Sequence, residues 1–420
     1  MSAQLPQVRR VGVIGAGTMG AGITTSCITA GLAVTLVDSQ ASALASARQR
    51  IAEALQASAK KGRITAEAAA AAAKRVAVAG DITALGDADI VIEAVFENLQ
   101  LKQDVFRALD ASCRADTLLA TNTSTLDVAA IASVTARPQD VVGMHFFSPA
   151  NVMRLIEIVR AAQTSARSVQ RALAFSELIG KTGVVVGNCF GFVGNRMLYA
   201  YGRENQLMLL EGIAAERIDA ALEKFGMAMG PNAVGDLAGL DVGYRVRRER
   251  KDLPDDPRYY RVADLLVEHG RLGQKSGRGM YRYEPGSRVR QVDPQVDILI
   301  RAEAARLKVA PRPLSDAAIV ERCIYALINE GAAILLEGIA AAPLDIDVIW
   351  CNGYGFPRAR GGPMAYADTV GLAAVYDGIR RLALEHGPRY WCAAPLLAEL
   401  AAQGSTFAAW QAARAAHSSG

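Results

Sequence analysis

The segment Gly15-Ala16-Gly17-Thr18-Met19-Gly20 constrains this chain more than any other, because it follows the apolar run Val11 to Ile14 and opens a helical pattern that reaches Gly31. Between a strand and a helix, glycines at the first, third and sixth positions permit a tight turn, a close approach of backbone to a pyrophosphate, and close helix–strand packing. Gly15, Gly17 and Gly20 take these places, and Ala16, Thr18 and Met19 complete a loop whose helix N-terminus faces the phosphates. Asp38 closes the next apolar run, 18 residues after Gly20, where a carboxylate accepts hydrogen bonds from an adenine-ribose diol. That charge repels a 2′-phosphate, and Ser39 rather than an arginine adjoins it, so NAD is favoured over NADP.

From Val11 to about Val186, short apolar runs alternate with alanine-rich amphipathic stretches, the pattern of a parallel α/β sheet of Rossmann type. Strands are expected at Val11–Ile14, Ala33–Val37, Ile90–Ala94, Leu118–Ala120, Val141–Met144 and Leu155–Val159, with helices at Ala41–Lys60, at Leu101–Asp110 and from Leu126 to Ile131. Beyond Asn188 the strand signal fades and helical periodicity runs from Phe192 to about Glu268. Prolines and glycines then cluster between Pro285 and Pro313, before a second helical block that starts near the capping residues Ser315 and Asp316.

The two helical blocks are copies. Tyr199, Glu204 and Leu210-Glu211-Gly212-Ile213-Ala214 recur 126 positions later as Tyr325, Glu330 and Leu336-Glu337-Gly338-Ile339-Ala340. Gly230-Pro231, Gly239-Leu240 and Tyr244 recur as Gly362-Pro363, Gly371-Leu372 and Tyr376, now 132 apart, which places six extra residues in the second copy. The expected organisation is a nucleotide-binding domain at 1–186, a first helical domain at 187–285, a linker at 286–314 and a duplicated helical domain at 315–420.

A composition of 51% hydrophobic and 21% charged residues is that of a globular protein with sizeable cores, and a net charge of +4 is small for 420 residues. The basic stretch Arg245 to Lys251 is interrupted by Glu249 and followed by Asp252, Asp255 and Asp256, a solvated helix face, so no nucleic-acid partner is expected. Six cysteines form no CxxC pair and have no histidines at ligand spacing, which argues against a metal site. Met1 to Arg10 has no apolar core of signal-peptide length, and charges break every long apolar stretch. A soluble cytoplasmic protein in a reducing compartment, without membrane insertion, is the expectation.

Only four histidines occur, and His145 lies in Val141-Val142-Gly143-Met144-His145-Phe146-Phe147-Ser148-Pro149, a strand that delivers an imidazole to its end. Glu157 interrupts the β-branched run Leu155 to Val159, where a buried charge needs a partner. The two form a candidate acid/base pair. Asn122-Thr123-Ser124 follows the Leu118 strand at the end where ligands bind in such sheets, although these residues also suit a helix cap. Asn195 opens the first helical block and is open to the same two readings, but its counterpart in the second copy is Glu321, and this asymmetry favours a role in the site.

These motifs, with Gly191-Phe192-Val193-Gly194-Asn195-Arg196 and Gly353-Tyr354-Gly355-Phe356-Pro357, give the chain a resemblance from about residue 8 to 415 to NAD-dependent (S)-3-hydroxyacyl-CoA dehydrogenases, above all to the dehydrogenase portion of the peroxisomal-type bifunctional hydratase/dehydrogenases. The resemblance implies oxidation of a 3-hydroxyacyl-CoA to the 3-ketoacyl-CoA, with His145 as general base, Glu157 as its orienting partner, Ser124 bonded to the substrate oxygen and Asn195 organising the pocket. It further implies cofactor contacts from Asp38, Glu97, Lys102, Asn122, Ser124, Ser148 and Lys275, and places Lys61 near the CoA phosphates, although Lys60-Lys61-Gly62 by itself reads as an ordinary cationic helix end.

The hydratase half of the bifunctional relatives is absent, so only the redox step is expected, and Ala54 replaces a hydroxyl that shorter family members turn towards CoA. Ser148 stands where those shorter members have asparagine. A dehydrogenase of free 3-hydroxy acids and a non-catalytic homologue are the alternative functions. Because shorter relatives with one helical domain pair through it, the duplicated copy implies a monomer with an internal pseudo-dimer.

Overall fold

In the computed structural model, which describes residues 7–418, eight strands form one sheet. They are β1 (Arg10–Ile14), β2 (Ala33–Val37), β3 (Val76–Ala79), β4 (Ile90–Glu93), β5 (Leu118–Thr121), β6 (Val141–Phe146), β7 (Leu155–Arg160) and β8 (Thr182–Gly187), in the order β3-β2-β1-β4-β5-β6-β7-β8. The reading of the first residues as lacking a signal-type core falls partly on 1–6, outside the described residues. Contacts divide the chain into two units, Met1–Asn195 with Glu337–Gly353, and Arg196–Leu336 with Tyr354–Gly420.

In the first unit the helices are α1 (Thr18–Thr29), α2 (Ala41–Lys60), α3 (Ala66–Ala73), α4 (Leu99–Ser112), α5 (Val128–Ala132) and α6 (Ala166–Leu178). Strand residues alternate between the two faces of the sheet. Ile90 and Ile92 join Ile23, Ile28, Ile51 and Phe175 in one core, while Val91 joins Phe106, Leu109, Leu119 and Ile131 in the other. Burial on both sides explains the near-continuous apolar strands. The chain order reverses at β1, which lies between β2 and β4, and this reversal opens a crevice beyond the strand ends, where the glycine loop sits.

The sheet is not wholly parallel. β7 runs antiparallel to β6, with Gly143 opposite Val159, Met144 opposite Ile158, His145 opposite Glu157 and Phe146 opposite Ile156. Only residues 147–154 join these strands, too few for the crossover that a parallel pair needs. Two strands, β3 and β8, were not anticipated from the sequence, and β6 extends two residues beyond the expected Met144, which brings His145 inside the ladder.

The helical blocks begin with α7 (Gly194–Leu210), α8 (Ala215–Phe225), α9 (Pro231–Ala238), α10 (Leu240–Glu249) and α11 (Arg261–Glu268). The expected linker contains a further helix, α12 (Pro294–Arg306), which starts where Asp293 accepts a bond from Gln295 N and Pro294 takes the first helical position. Next come α13 (Asp316–Leu336), α14 (Pro343–Gly353), α15 (Pro363–Val370), α16 (Leu372–His386), α17 (Pro395–Ala402) and α18 (Phe407–Ser418). The starts of α9 and α10 recur 132 residues later at α15 and α16, and the six-residue slip falls in the turns on either side of α14, with two extra residues before it (337–342 against 211–214) and four after it (354–362 against 226–230). The sequence division placed all of the second copy in one domain, whereas α14 belongs to the first unit, where it packs on β7 and β8 and where Gly187 N donates to Ile339 O.

Within the second unit, α13 packs on α8, and Arg322 ties the copies together. Its guanidinium, 1% exposed, bonds Glu204 Oε2 at 2.8 Å and Glu211 at 2.6 and 3.1 Å. Removing one partner of a buried ion pair strands the other charge. Arg322→Met is therefore expected to destabilise the fold by about 3–5 kcal/mol in denaturant titrations, with much of the loss recovered by adding Glu204→Gln. An Arg322→Met protein of native stability would show that the two carboxylates need no counter-charge.

Candidate active site

Antiparallel pairing brings His145 and Glu157 face to face. His145 Nδ1 lies 2.8 Å from Glu157 Oε2, with both side chains buried. The other carboxylate oxygen accepts backbone bonds from Val193 N at 3.2 Å and Gly194 N at 2.9 Å, so Glu157 also caps the first turn of α7. Gly191 (φ 72°) and Phe192 (φ 51°) turn the chain there, and the left-handed Phe192 is the strained conformation that aims two successive N–H groups at one oxygen. An ionised carboxylate only accepts, so the tautomer that makes this bond to it carries its proton on Nδ1 and leaves Nε2 as the acceptor. The imidazole packs against the rings of Phe147 (ring centroids 4.7 Å) and Phe192 (5.8 Å).

Asn195 is the second residue of α7, directly after the Gly194 that binds Glu157. Asn122 sits one strand over; its Oδ1 accepts from Phe146 N at 2.8 Å and so fixes the end of β6 beside His145. Ser148 is exposed just beyond β6.

A second polar cluster occupies the crevice at the ends of β4 and β5. Glu93, fully buried, bonds Lys102 Nζ at 2.7 Å, Val95 N at 2.7 Å and Thr121 Oγ1 at 2.7 Å. Lys102 is itself buried and lies 3.4 Å from Glu97 Oε2. Glu97 Oε1 gathers Thr123 Oγ1 at 2.6 Å, Ser124 N at 2.8 Å, Ser124 Oγ at 3.2 Å and Thr125 N at 3.1 Å. Lys102 thus holds Glu97, and Glu97 holds Ser124. Glu93 and Thr121 were not singled out in the sequence, although a charged residue ending the apolar run Ile90-Val91-Ile92 carries the same signal that pointed to Glu157.

The glycine loop fits a dinucleotide. Gly15 has φ 96°, and a β-carbon there would lie 2.5 Å from Ala94 O; one on Gly20 would lie 1.7 Å from Gly15 O. A β-carbon on Gly17 would meet nothing within 4 Å, and α1 starts behind it without a side-chain cap, which leaves open space before an uncapped helix N-terminus. Thr18 is exposed and Met19 half-buried at this start, while Ala16 is buried. Ala16 N donates to Asp38 Oδ2 at 2.8 Å, and Gln40 N donates to Oδ1 at 2.9 Å, so the carboxylate is fixed beside the loop. Sequence proximity missed Arg50, which reaches back from α2 to donate to Ala16 O at 2.6 Å.

Two further residues predicted to make contacts are Lys61 and Lys275. Lys61 is an exposed residue at the end of α2. Lys275 belongs to the second unit, where it pairs with Asp241.

The description of the 3-hydroxyacyl-CoA dehydrogenase NAD-binding domain matches residues 10–189, and that of the C-terminal domain matches residues 191–283 and 319–409. The chain belongs to the 3-hydroxyacyl-CoA dehydrogenase family. It is 44% identical over 414 residues to the peroxisomal bifunctional enzyme of Danio rerio, covering 95% of this chain and 57% of that one, so it spans little more than half the length of such relatives. Among solved structures, 3-hydroxybutyryl-CoA dehydrogenase from Escherichia coli superposes with a TM-score of 0.80 at 28% identity, covering 95% of this chain and 99% of that one. (S)-3-Hydroxybutyryl-CoA dehydrogenase from Ralstonia eutropha, with a TM-score of 0.62 and 35% identity, covers 66% of this chain and is itself covered in full.

Burial works to raise the pKa of Glu97, but Lys102 and the bonds from Thr123, Ser124 and Thr125 outweigh it and bring it below 4.5. A carboxylate with a depressed folded pKa contributes stability that is complete above its unfolded value and is lost as pH falls through the folded one. Glu97→Gln should therefore lose less of its thermal midpoint than wild type between pH 6 and about pH 3. Equal losses would mean that Glu97 is not held as an anion.

Proposed function

We propose that this chain catalyses the reversible NAD-linked oxidation of (S)-3-hydroxyacyl-CoA to 3-ketoacyl-CoA, in fatty acid β-oxidation or related acyl-CoA metabolism. The observation that carries the reading is His145 held opposite Glu157 at the end of a strand in a sheet that also bears the glycine loop. In the oxidation His145 Nε2 takes the proton of the 3-hydroxyl as C3 gives up its hydride. Glu157 fixes the Nδ1–H tautomer and balances the charge of the imidazolium that forms, so that the O–H bond breaks without separating unpaired charges in a buried pocket. Bound NAD supplies the hydride acceptor.

Ser124, positioned by Glu97, donates to the substrate oxygen, and Asn195 orders the same pocket from the start of α7. Gly15 to Gly20 and Asp38 hold the pyrophosphate and the adenine ribose; Ser148, Asn122, Glu97 and Lys275 serve the cofactor side, and Lys61 the CoA phosphates. Lys102, buried against Glu93, acts by orienting Glu97. The free thiols among the described residues suit the reducing, cytoplasmic compartment that we assign to the chain.

His145→Gln should lower kcat for 3-hydroxybutyryl-CoA oxidation by about 10²–10⁴ with little change in NAD affinity, the scale of general-base catalysis. Near-normal turnover would remove His145 from the chemistry. Wild type should prefer NAD to NADP in steady-state kinetics. Asp38→Ala should weaken NAD and narrow that gap, because it removes the repelling carboxylate while Arg50 stays on the loop; a wild-type preference for NADP would contradict the role of Asp38.

The two helical copies form an internal pseudo-dimer in this reading, and the full chain is a monomer. Their shared apolar surface and the Arg322 clamp are satisfied within one chain, where linkage sets an effective concentration of order millimolar. Truncation after Ala310 should produce a dimer, an aggregate or an unstable protein in light scattering. A full-length dimer in dilute solution, or a stable truncated monomer, would contradict the internal pairing.

A further inference from the structure

Gly353, the last residue of α14, stands in a place where backbone conformation does not ask for glycine. With no left-handed turn to require it, a glycine at this helix end points to a packing reason. Space supplies it. A β-carbon on Gly353 would lie 2.8 Å from Leu155 Cδ2 and 3.0 and 3.3 Å from Phe147 Cε1 and Cδ1, whereas ordinary contacts lie beyond 3.4 Å. Phe147 is buried and its ring stacks at 4.7 Å, tilted 46°, on the imidazole of His145. Leu155 opens β7, two residues before Glu157. The bare glycine thus abuts one neighbour of the histidine and one neighbour of its carboxylate.

The segment that delivers this glycine is anchored. Residues 337–353 come from the second helical copy, yet they belong to the same unit as the sheet. Gly187 N donates to Ile339 O at 2.7 Å, Val186 pairs with Ala340, and α14 packs on β7 and β8. Gly187 has no room to relax either, since a β-carbon there would lie 3.0 Å from Ile339 Cδ1. A side chain added at 353 therefore pushes on a helix held against the sheet, and the displacement falls on Phe147 and Leu155.

We propose that Gly353 is a positioning residue for the acid/base pair: through Phe147 the second helical copy sets the plane of the His145 imidazole relative to Glu157. The duplicated copy, which lacks a counterpart of Asn195, then still contributes to the chemistry of the first by supplying the wall behind the base. This assignment rests on the reading of His145 as the base, and it accounts for the glycine that opens the Gly353-Tyr354-Gly355-Phe356-Pro357 motif. Alanine at 353 should tilt the imidazole without touching substrate or cofactor.

The test is the Gly353→Ala full-length protein, read in two ways. In proton NMR the Nδ1–H of His145, bonded to a carboxylate, gives a downfield resonance, identified by its loss in His145→Gln. This signal should shift or broaden in Gly353→Ala. In steady-state assays kcat should fall by about tenfold to a hundredfold, the scale of a misplacement near 1 Å, with KM for NAD and 3-hydroxybutyryl-CoA within about threefold of wild type.

If Gly353→Ala does not fold, Phe147→Leu alone reads the same path, and its kcat should fall on the same scale with KM little changed. An unchanged downfield signal and unchanged kcat in the folded variant, or an unchanged kcat in Phe147→Leu, would overturn the proposal. A shifted signal in a protein whose wild type oxidises no 3-hydroxyacyl-CoA would keep the positioning path and remove the functional reading on which it was placed.

Discussion

The antiparallel pairing of β6 with β7 is the constraint on which the candidate site depends. Adjacent strands bring directly opposed side chains within reach of each other, and a slip of one residue would send every side chain to the other face. The short connection from Phe147 to Arg154 forces the reversal, and the register then sets His145 against Glu157. Once buried, the carboxylate has to find further donors, and the backbone of Val193 and Gly194 provides them. One carboxyl group thereby orients the imidazole, caps the first helix of the helical region and anchors the residue that precedes Asn195.

The crevice at the ends of β1, β4 and β5 uses the same principle with different partners. Glu93 ends its strand as a buried charge, Lys102 neutralises it, and the ammonium also reaches Glu97, which gathers three successive residues after β5. Removing Lys102 would leave the buried Glu93 without its counter-charge. The chain from Glu93 to Ser124 is thus a means of placing a hydroxyl at a strand end, much as Glu157 places an imidazole.

Much of this was legible in the sequence because it rests on local signals. The glycine loop and the strands β1 and β2 follow from spacing and apolar runs, and His145 and Glu157 were marked by a rare residue at a strand end and a charge inside a β-branched run. What the sequence did not disclose depends on partners distant in the chain. β3 is a four-residue, half-buried edge strand embedded in alanine-rich surroundings, so its signal is weak. α12 begins at a proline, which reads as a break unless the preceding aspartate is seen to cap it. The reversal of β7 follows from loop length rather than from apolar pattern, and Arg50 reaches the glycine loop from a helix twelve residues beyond Asp38. The duplication was plain from matched residues, but nothing in them told that α14 of the second copy would join the sheet rather than the other helices.

The central claim is that His145 and Glu157 act as one unit, and a double-mutant cycle on kcat addresses it directly. His145→Gln, Glu157→Gln and the double variant would be compared with wild type for oxidation of 3-hydroxybutyryl-CoA at saturating NAD. Groups that work as a unit are strongly non-additive, so the double variant should be about as slow as the slower single variant. Losses that multiply, with the double variant slower by the product of the two single effects, would mean that the residues act independently and that their opposition across the β6–β7 ladder is structural alone.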